Sequence, residues 1–460
     1  MLRSRLWTSY QTLSQRTITT GTKVAFNNEN KQEQSDKTNE YQSSNNSFNP
    51  PRRPLTQQFT HQVTNQVPPL EYIDLYKSDL VLLEFLNKEN KGQIKDMGVE
   101  LGTFHWFEEG QLANRYTPSL HQFDRYGQRI DEVNFHPAYH DLMKVGMRYG
   151  VNVHGGLIET QTFGTHSDSF IIIDRILSRK YDKRCIPANA KSGLTIGMAL
   201  TEKQGGSDVR TNTTKAYCDS PEEKRYILIG HKWFCSAPMS DGFLVLAQIQ
   251  NNDNVNQPSS HSVPSCFFVP RWLPNGERNP FHIQRLKDKL GNRSNASSEL
   301  EFNNTQGWLL GKEHDGIKVI IDMINGTRLD SAISSAALMR QALVQATWHA
   351  RHRKAFGRLL IDQPLMKQVL VDLLLESEAA TTLVMHLATL YDSTYNNILS
   401  NNTKEINALA RIASALAKFW ICKRTPETTY EALECLGGAG FVEESILPRI
   451  YREAPVNSIW

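Results

Sequence analysis

The spacing of apolar residues changes twice along the chain. Residues 70–190 carry three- and four-residue spacing with interruptions, as in Leu80-Val81-Leu82-Leu83-Glu84-Phe85-Leu86, which predicts helices. Between 198 and 305 the period falls to two. Ile227/Ile229, Phe243/Val245/Ala247 and Leu300/Phe302 recur between clusters of Gly, Pro, Asn and Asp, the pattern of short antiparallel strands. From Gly316 onward helical spacing returns. Met366, Val369, Leu370, Leu373, Ala380, Leu383, Val384, Leu387 and Tyr391 predict one long helix. Ile406, Leu409, Ala413, Leu416 and Trp420 mark a second. Thr425-Pro426 reads as a cap and first-turn proline opening a further helix that stops at Gly437-Gly438. No internal repeat is visible. The expected class is α+β multidomain: an N-terminal helical domain (70–197), a middle antiparallel β domain (198–310) and a C-terminal helical bundle (311–460).

The first seventy residues differ. Residues 1–28 hold Arg3, Arg5, Arg16 and Lys23, no acid before Glu29, and Leu2, Leu6, Tyr10 and Leu13 at helical spacing. An Arg-bearing, hydroxyl-rich, acid-free amphipathic start is the composition of a mitochondrial transit peptide, so the expected location is the mitochondrial matrix. Residues 29–69 are rich in Asn, Gln and Ser and broken by Pro50-Pro51-Arg52-Arg53-Pro54, which predicts a disordered linker.

Composition narrows the classes. At 460 residues and about 150 per domain, roughly three units are expected. A net charge of +3, from 51 basic and 48 acidic residues, excludes a strongly basic nucleic-acid coat. No apolar run reaches the roughly 20 residues of a membrane helix. The six cysteines form no C-x-x-C and read as reduced thiols, and no metal site is expected.

Four segments carry candidate chemistry. Leu200-Thr201-Glu202-Lys203-Gln204-Gly205-Gly206-Ser207-Asp208-Val209 joins paired glycines to flanking hydroxyls, able to offer N–H and O–H groups to an anionic or heteroaromatic ligand. Alone it reads more readily as a glycine turn between domains. Gly230-His231-Lys232-Trp233-Phe234-Cys235-Ser236 could lay an indole against a flat ring, or simply place an aromatic in the core. Arg351-His352-Arg353-Lys354-Ala355-Phe356-Gly357, with Ile361-Asp362-Gln363, could clamp a pyrophosphate, or be the basic end of a helix. Glu434-Cys435-Leu436-Gly437-Gly438-Ala439-Gly440-Phe441 is a glycine turn between helices. No G-x-G-x-x-G follows a predicted strand, so a Rossmann site is not indicated.

In this order, across a helix–β–helix chain, the segments resemble the acyl-CoA dehydrogenases, FAD enzymes that desaturate the Cα–Cβ bond of acyl-CoA thioesters. The T-E-x-x-G-G-S-D run and the stretch Glu434 to Glu453 fit the family's two signatures, with Thr211 where a smaller residue is preferred. The chain is most similar to the AidB-like branch, associated with alkylation damage, through Met198–Thr214, Gly230–Phe234, Ser265–Pro270, Arg285–Ala296 and Val456–Trp460. The resemblance covers roughly residues 70–460.

It implies FAD held between β domain and bundle, partly across a subunit contact. Leu200, Thr201, Gly206 and Ser207 would meet the flavin, with Trp233, Phe234 and Ser236 along its ring. Arg353, Phe356 and Gln363 would reach the pyrophosphate and adenine of a neighbouring subunit's FAD, and Gly437-Gly438 would approach the same cofactor. Glu434 stands where many members carry Gln. Ser207 and Arg328 would support the substrate side.

The family's reaction needs a carboxylate to take the α-proton while hydride leaves Cβ. In most members that base is a Glu directly after the motif seen here as Asn457-Ser458-Ile459-Trp460, so the expected Glu would follow Trp460. Another branch carries it where this chain has Thr327. No catalytic residue is therefore identified within 1–460, and little or no turnover is expected of this chain. A helical stretch between His154 and Lys191 is also shorter than the family's. Implied partners are acyl-CoA, an electron-transferring flavoprotein and further copies in a homotetramer. No sustained seventh-residue pattern occurs, so the oligomer is expected to form through helix-bundle faces. The alternatives are a DNA-binding, alkylation-protecting flavoprotein and an inactive flavin-fold partner.

Overall fold

The structure, a computed structural model, describes residues 63–86, 91–150, 174–250, 263–396 and 403–460. The transit-like segment, most of the linker and most of the shortened stretch after His154 lie outside these residues.

The N-terminal part contains α1 (Leu80–Leu86), α2 (Lys91–Leu101), α3 (Phe104–Arg115) and α4 (Pro137–Arg148). A hairpin of β1 (Ser119–Phe123) and β2 (Arg129–Asn134) interrupts the helices, which the sequence reading did not anticipate. Its signal was local: Asp124 Oδ1 accepts from the amides of Tyr126 and Gln128, and Gly127 takes a positive φ of 80°. Residues 63–69, placed with the linker by composition, are docked. Asn65 exchanges hydrogen bonds with Lys354, accepting from its amide at 2.8 Å and donating to its carbonyl at 2.9 Å. Trp348 Nε1 donates to the carbonyl of Pro68 at 2.8 Å.

The middle domain comprises β3 (Ile196–Ala199), β4 (Lys215–Ser220), β5 (Arg225–Ser236), β6 (Gly242–Gln250), β7 (Ser265–Pro270), β8 (Phe281–Leu286) and β9 (Ser297–Leu310). Strands β6, β4, β5, β9 and β7 pair in a closed ring, since β7 bonds back to β6; β3 and β8 flank it. Closure removes sheet edges. The domain is not wholly antiparallel: β6 pairs in parallel with both β3 and β4, because neither reaches it through a hairpin. Period two holds, but on β5 the faces are reversed. Tyr226 and Leu228 are buried, whereas Ile229 is exposed. Strand β6 is buried on both faces, which its continuous Phe243–Ala247 run encodes. Phe243 and Val245 pack inside the barrel. Leu244 and Leu246 pack outside it, against Ile320 and Met323.

Those two residues belong to α5 (Gly316–His352), which ends in a hairpin of β10 (Lys354–Ala355) and β11 (Arg358–Leu359). The bundle continues with α6 (Pro364–Asn396), α7 (Thr403–Glu434), α8 (Gly438–Phe441) and α9 (Leu447–Ile459). One expectation needs correction. No new helix opens at Thr425-Pro426: Pro426 sits inside α7. An interior proline costs about 3 kcal/mol, but Ala417 and Ile421 before it and Ala432 and Leu433 after it are all in the core, which offsets that loss. The helix marked by Ile406, Leu409, Ala413, Leu416 and Trp420 is present as part of α7, with Leu409 and Leu416 on its exposed side. The buried face of α7 is Ala410, Ser414, Ala417 and Ile421.

Candidate functional site

The Thr201–Asp208 loop is built on a sealed ion pair. Glu202 is fully buried and accepts from Thr213 N (2.6 Å), Thr213 Oγ1 (2.8 Å), Thr214 N (3.1 Å) and Thr214 Oγ1 (2.5 Å). Lys232 Nζ, on β5, donates to Glu202 at 2.8 Å and to the Leu246 carbonyl at 2.7 Å. Burial would raise the Glu202 carboxyl, but the Lys232 charge and these hydrogen bonds outweigh it and hold it down to about 2. Burial pushes the Lys232 ammonium down to about 8 while Glu202 pulls it back, so both stay charged at neutral pH.

This pair anchors both halves of the candidate site. The amide of Trp233 donates to the Thr201 carbonyl at 2.9 Å, joining loop to strand. Gly205 N returns to Glu202 O at 3.0 Å in a tight turn, with Gly205 at a φ of 131°. Gly206 follows, and a Cβ there would lie 2.8 Å from Thr201 Oγ1. Glycine therefore keeps the space beside that hydroxyl free. Leu200, behind Thr201, packs on the cluster linking β domain and α5, and Ser207 is exposed at the rim.

Trp233 is half-buried among cations that the sequence reading did not single out. Lys287 Nζ lies 3.4 Å from its ring centroid and the Arg285 guanidinium 5.6 Å. Both also donate to Glu299 Oε1 at 2.7 Å. The alternation Arg285/Lys287/Lys289 was the available signal. Phe234 is exposed with Lys287 5.0 Å from its ring, and Ser236 Oγ pairs with Ser297 Oγ at 3.0 Å. Hydroxyls, a half-buried indole and excess positive charge suit a flat, anionic ligand.

The second cluster sits on the hairpin after α5. Arg353 Nη1 donates to the Asn65 carbonyl at 2.5 Å, and Gln363 Nε2 to the Ala355 carbonyl at 3.1 Å. Phe356, at the tip with a φ of 51°, is 98% exposed. No hydrogen bond among the described residues links this hairpin to the Thr201 loop. Gly437, with φ 59° and ψ −139°, makes a glycine-only turn between α7 and α8, and a Cβ there or at Gly438 would meet nothing within 4 Å. Three turns into α5, Arg328 Nη1 donates to Asn325 Oδ1 at 3.0 Å. Thr327 turns its hydroxyl back to the Ile324 carbonyl at 2.9 Å and is no proton acceptor of carboxylate type.

Comparison with known proteins gives the domain content of the chain. Residues 65–161 match the adaptive response protein AidB N-terminal domain, 197–305 the acyl-CoA dehydrogenase middle domain and 314–460 the acyl-CoA dehydrogenase C-terminal domain. AidB of Escherichia coli is 42% identical over 440 residues, covering 87% of this chain and 78% of that protein. Acyl-CoA dehydrogenase family member 11 of Caenorhabditis elegans is 27% identical over 77% of this chain and 55% of its own length. The crystal structure of Caenorhabditis elegans ACDH-11 in complex with C11-CoA superposes with a TM-score of 0.77 at 24% identity, covering 88% of this chain and 74% of that one.

The chain belongs to the acyl-CoA dehydrogenase family, a family of FAD-dependent oxidoreductases acting on acyl-CoA. Within it, the chain is AidB-like. The expected mitochondrial address is corrected. The 42% identical relative is bacterial, from an organism without mitochondria, and the residues carrying the transit-like pattern lie outside those described.

Proposed function

We propose that this chain binds FAD at the Thr201–Trp233 site and desaturates an acyl-CoA thioester between Cα and Cβ. The observation that carries this reading is the cradle itself: Gly206 keeping the Thr201 hydroxyl clear, beside a half-buried indole among cations. FAD, when bound, supplies the acceptor for the hydride leaving Cβ. Thr201 and Ser207 would offer hydroxyls to the ring, Trp233, Phe234 and Ser236 would lie along it, and Leu200 would close its apolar side. Lys287 and Arg285 favour the extra negative charge of the reduced ring.

Phe356 stands exposed at the hairpin tip, with Arg353 at its base and Gln363 bonded to Ala355, and these three would serve the FAD of a neighbouring subunit. Arg353 would hold the pyrophosphate and Phe356 would cover the adenine, with Gly437 and Gly438 leaving room for the same cofactor. Arg328 and Asn325 stiffen the substrate side. The α-proton requires a carboxylate as its acceptor, and Thr327, whose hydroxyl donates to the Ile324 carbonyl, is not that group. Electrons pass on to an electron-transferring flavoprotein, and the assembly is a homotetramer.

The test is anaerobic addition of saturated acyl-CoA to the FAD-loaded chain. Loss of the oxidised flavin band, however slow, is expected. No bleaching over hours in a protein that holds FAD at one per chain would overturn the reading.

A further inference from the structure

A small cavity of about 100 Å3 opens on the β domain between β2, β8 and the turn that follows β7. None of its lining residues belongs to the Thr201–Trp233 site. The guanidinium-bearing residues Arg129, Arg271 and Arg278 line it together. Two of them are neutralised locally. Arg129 Nε donates to Asp131 Oδ2 at 2.7 Å, and Arg278 Nη2 donates to Glu132 Oε1 at 3.0 Å.

Arg271 is different. It is only 4% exposed, yet among the described residues it makes no ion pair. The carboxylate of neighbouring Asp241 is occupied by Lys191 Nζ at 2.6 Å and by the Thr195 amide at 2.9 Å. Arg271 donates from Nε to the Ser240 carbonyl at 3.0 Å and from Nη2 to the Pro238 carbonyl. Its guanidinium lies 5.0 Å from the Phe281 ring centroid and 5.9 Å from that of Phe243. Its Nη1 has no partner among the described residues. Carbonyls and ring faces soften the desolvation of the cation but leave its charge. A buried charge without a counter-ion is costly, and an apolar side chain would fill the space between the two rings more cheaply. An anion in the cavity supplies what the guanidinium lacks.

Asp131 decides which anion. It lines the same cavity and is 7% exposed; Oδ2 takes Arg129, while Oδ1 is buried with no hydrogen-bond partner. A fully deprotonated anion would face that oxygen lone pair to lone pair. An oxyanion that keeps one hydroxyl accepts from Arg271 through its bare oxygens and donates to Asp131, so both unpartnered groups are satisfied at once. We propose that this cavity binds a small protonated oxyanion, hydrogenphosphate or bicarbonate, with Arg271 Nη1 as donor and Asp131 Oδ1 as acceptor. Sulfate has the shape of phosphate but no proton at neutral pH and is refused. A nucleic-acid phosphodiester, with no hydroxyl on phosphorus, is refused for the same reason. The bound ion ties β2 to the Pro238–Ser240 turn through Arg271, and the inference does not rest on the flavin chemistry.

The experiment is equilibrium dialysis of labelled phosphate, and separately of labelled bicarbonate, against the full chain in saturating FAD, which covers any groups that hold the FAD pyrophosphate. Saturable binding of one ion per chain is expected. Sulfate should compete at least about a hundredfold more weakly, because a site built for a hydroxyl rejects the analogue without one. Competition between the two labelled ions shows which of them is the resident, the tighter one. Asp131→Asn offers an N–H in place of the unpartnered oxygen and should turn the preference toward sulfate. Arg271→Met should lose both ions, with circular dichroism as the check on folding; Asp131→Asn carries the test if that variant does not fold. No saturable binding of either ion, sulfate competing as well as phosphate and bicarbonate in the wild type, or an Asp131→Asn chain with the wild-type preference would overturn the proposal.

Discussion

Lys232 Nζ lies 2.8 Å from the Glu202 carboxylate, and both side chains are sealed from solvent. Through this pair the Thr201–Asp208 loop is fixed to β5, so the spacing between the Thr201 hydroxyl and the Trp233 indole is set by a buried charge, not by loop propensity. Breaking one partner leaves the other charge unpaired in the interior. Glu202→Gln is expected to cost roughly 3–5 kcal/mol in denaturant unfolding. A loss under about 1 kcal/mol would show that the pair does not hold the loop.

The same carboxylate gives an acid signature. Its folded value, about 2, lies below the ordinary 4.5, so its contribution is fully present above 4.5 and is lost as pH falls from there through 2. Wild-type stability should therefore fall more steeply over that window than Glu202→Gln stability. Parallel curves would show that Glu202 gains nothing from its partners.

Trp233→Ala removes the ring that the site offers to the flavin, and Gly206→Ala pushes a methyl toward Thr201 Oγ1. Aromatic contact is worth about 0.5–1.5 kcal/mol beyond area burial, so FAD affinity should fall roughly tenfold in Trp233→Ala. Equilibrium dialysis against free FAD measures it. Unchanged affinity in both variants would place the flavin elsewhere.

Thr327 lies one residue before Arg328, at the start of the bundle where a carboxylate would face the substrate in the proposed reaction. Thr327→Glu should raise acyl-CoA-dependent flavin reduction by about 10²-fold or more, the range of a positioned general base. Stopped-flow anaerobic reduction reads the rate. An unchanged rate with FAD still bound would exclude position 327 as a working base site.

Asn65 ties the first described residues to the Arg353–Lys354 hairpin through three hydrogen bonds, two from its side chain and one to its carbonyl. Asn65→Ala removes the side-chain pair, worth roughly 1 kcal/mol each. Limited proteolysis should then cut between 63 and 70 several times faster, with the global melting temperature nearly unchanged. Equal cleavage rates would mean the strap is held by other contacts.

Domain order was legible because the apolar period changes sharply near 198 and again near Gly316. The faces of individual elements were less so. On β5 the period-two pattern also fits Tyr226 and Leu228, and only closure of the barrel decides which set turns inward. On α7, large residues drew the eye to the Leu409–Leu416 stripe, while the bundle core takes the small Ala410, Ser414 and Ala417 that let helices approach closely. In the candidate site, Thr201, Gly206 and Trp233 were readable from their motif. The Arg285/Lys287/Lys289 alternation marked cations, but that Lys287, just past the end of β8, reaches the indole follows only from the pairing of β8 on β9, which spacing along the chain does not reveal.

The most direct test of the central claim is anaerobic titration of the FAD-loaded chain and its Thr327→Glu variant with saturated acyl-CoA, followed by absorbance. The account predicts bleaching in the wild type, faster bleaching in the variant, and an enoyl-CoA product in both. FAD bound at one per chain with no bleaching and no enoyl-CoA in either protein would contradict it.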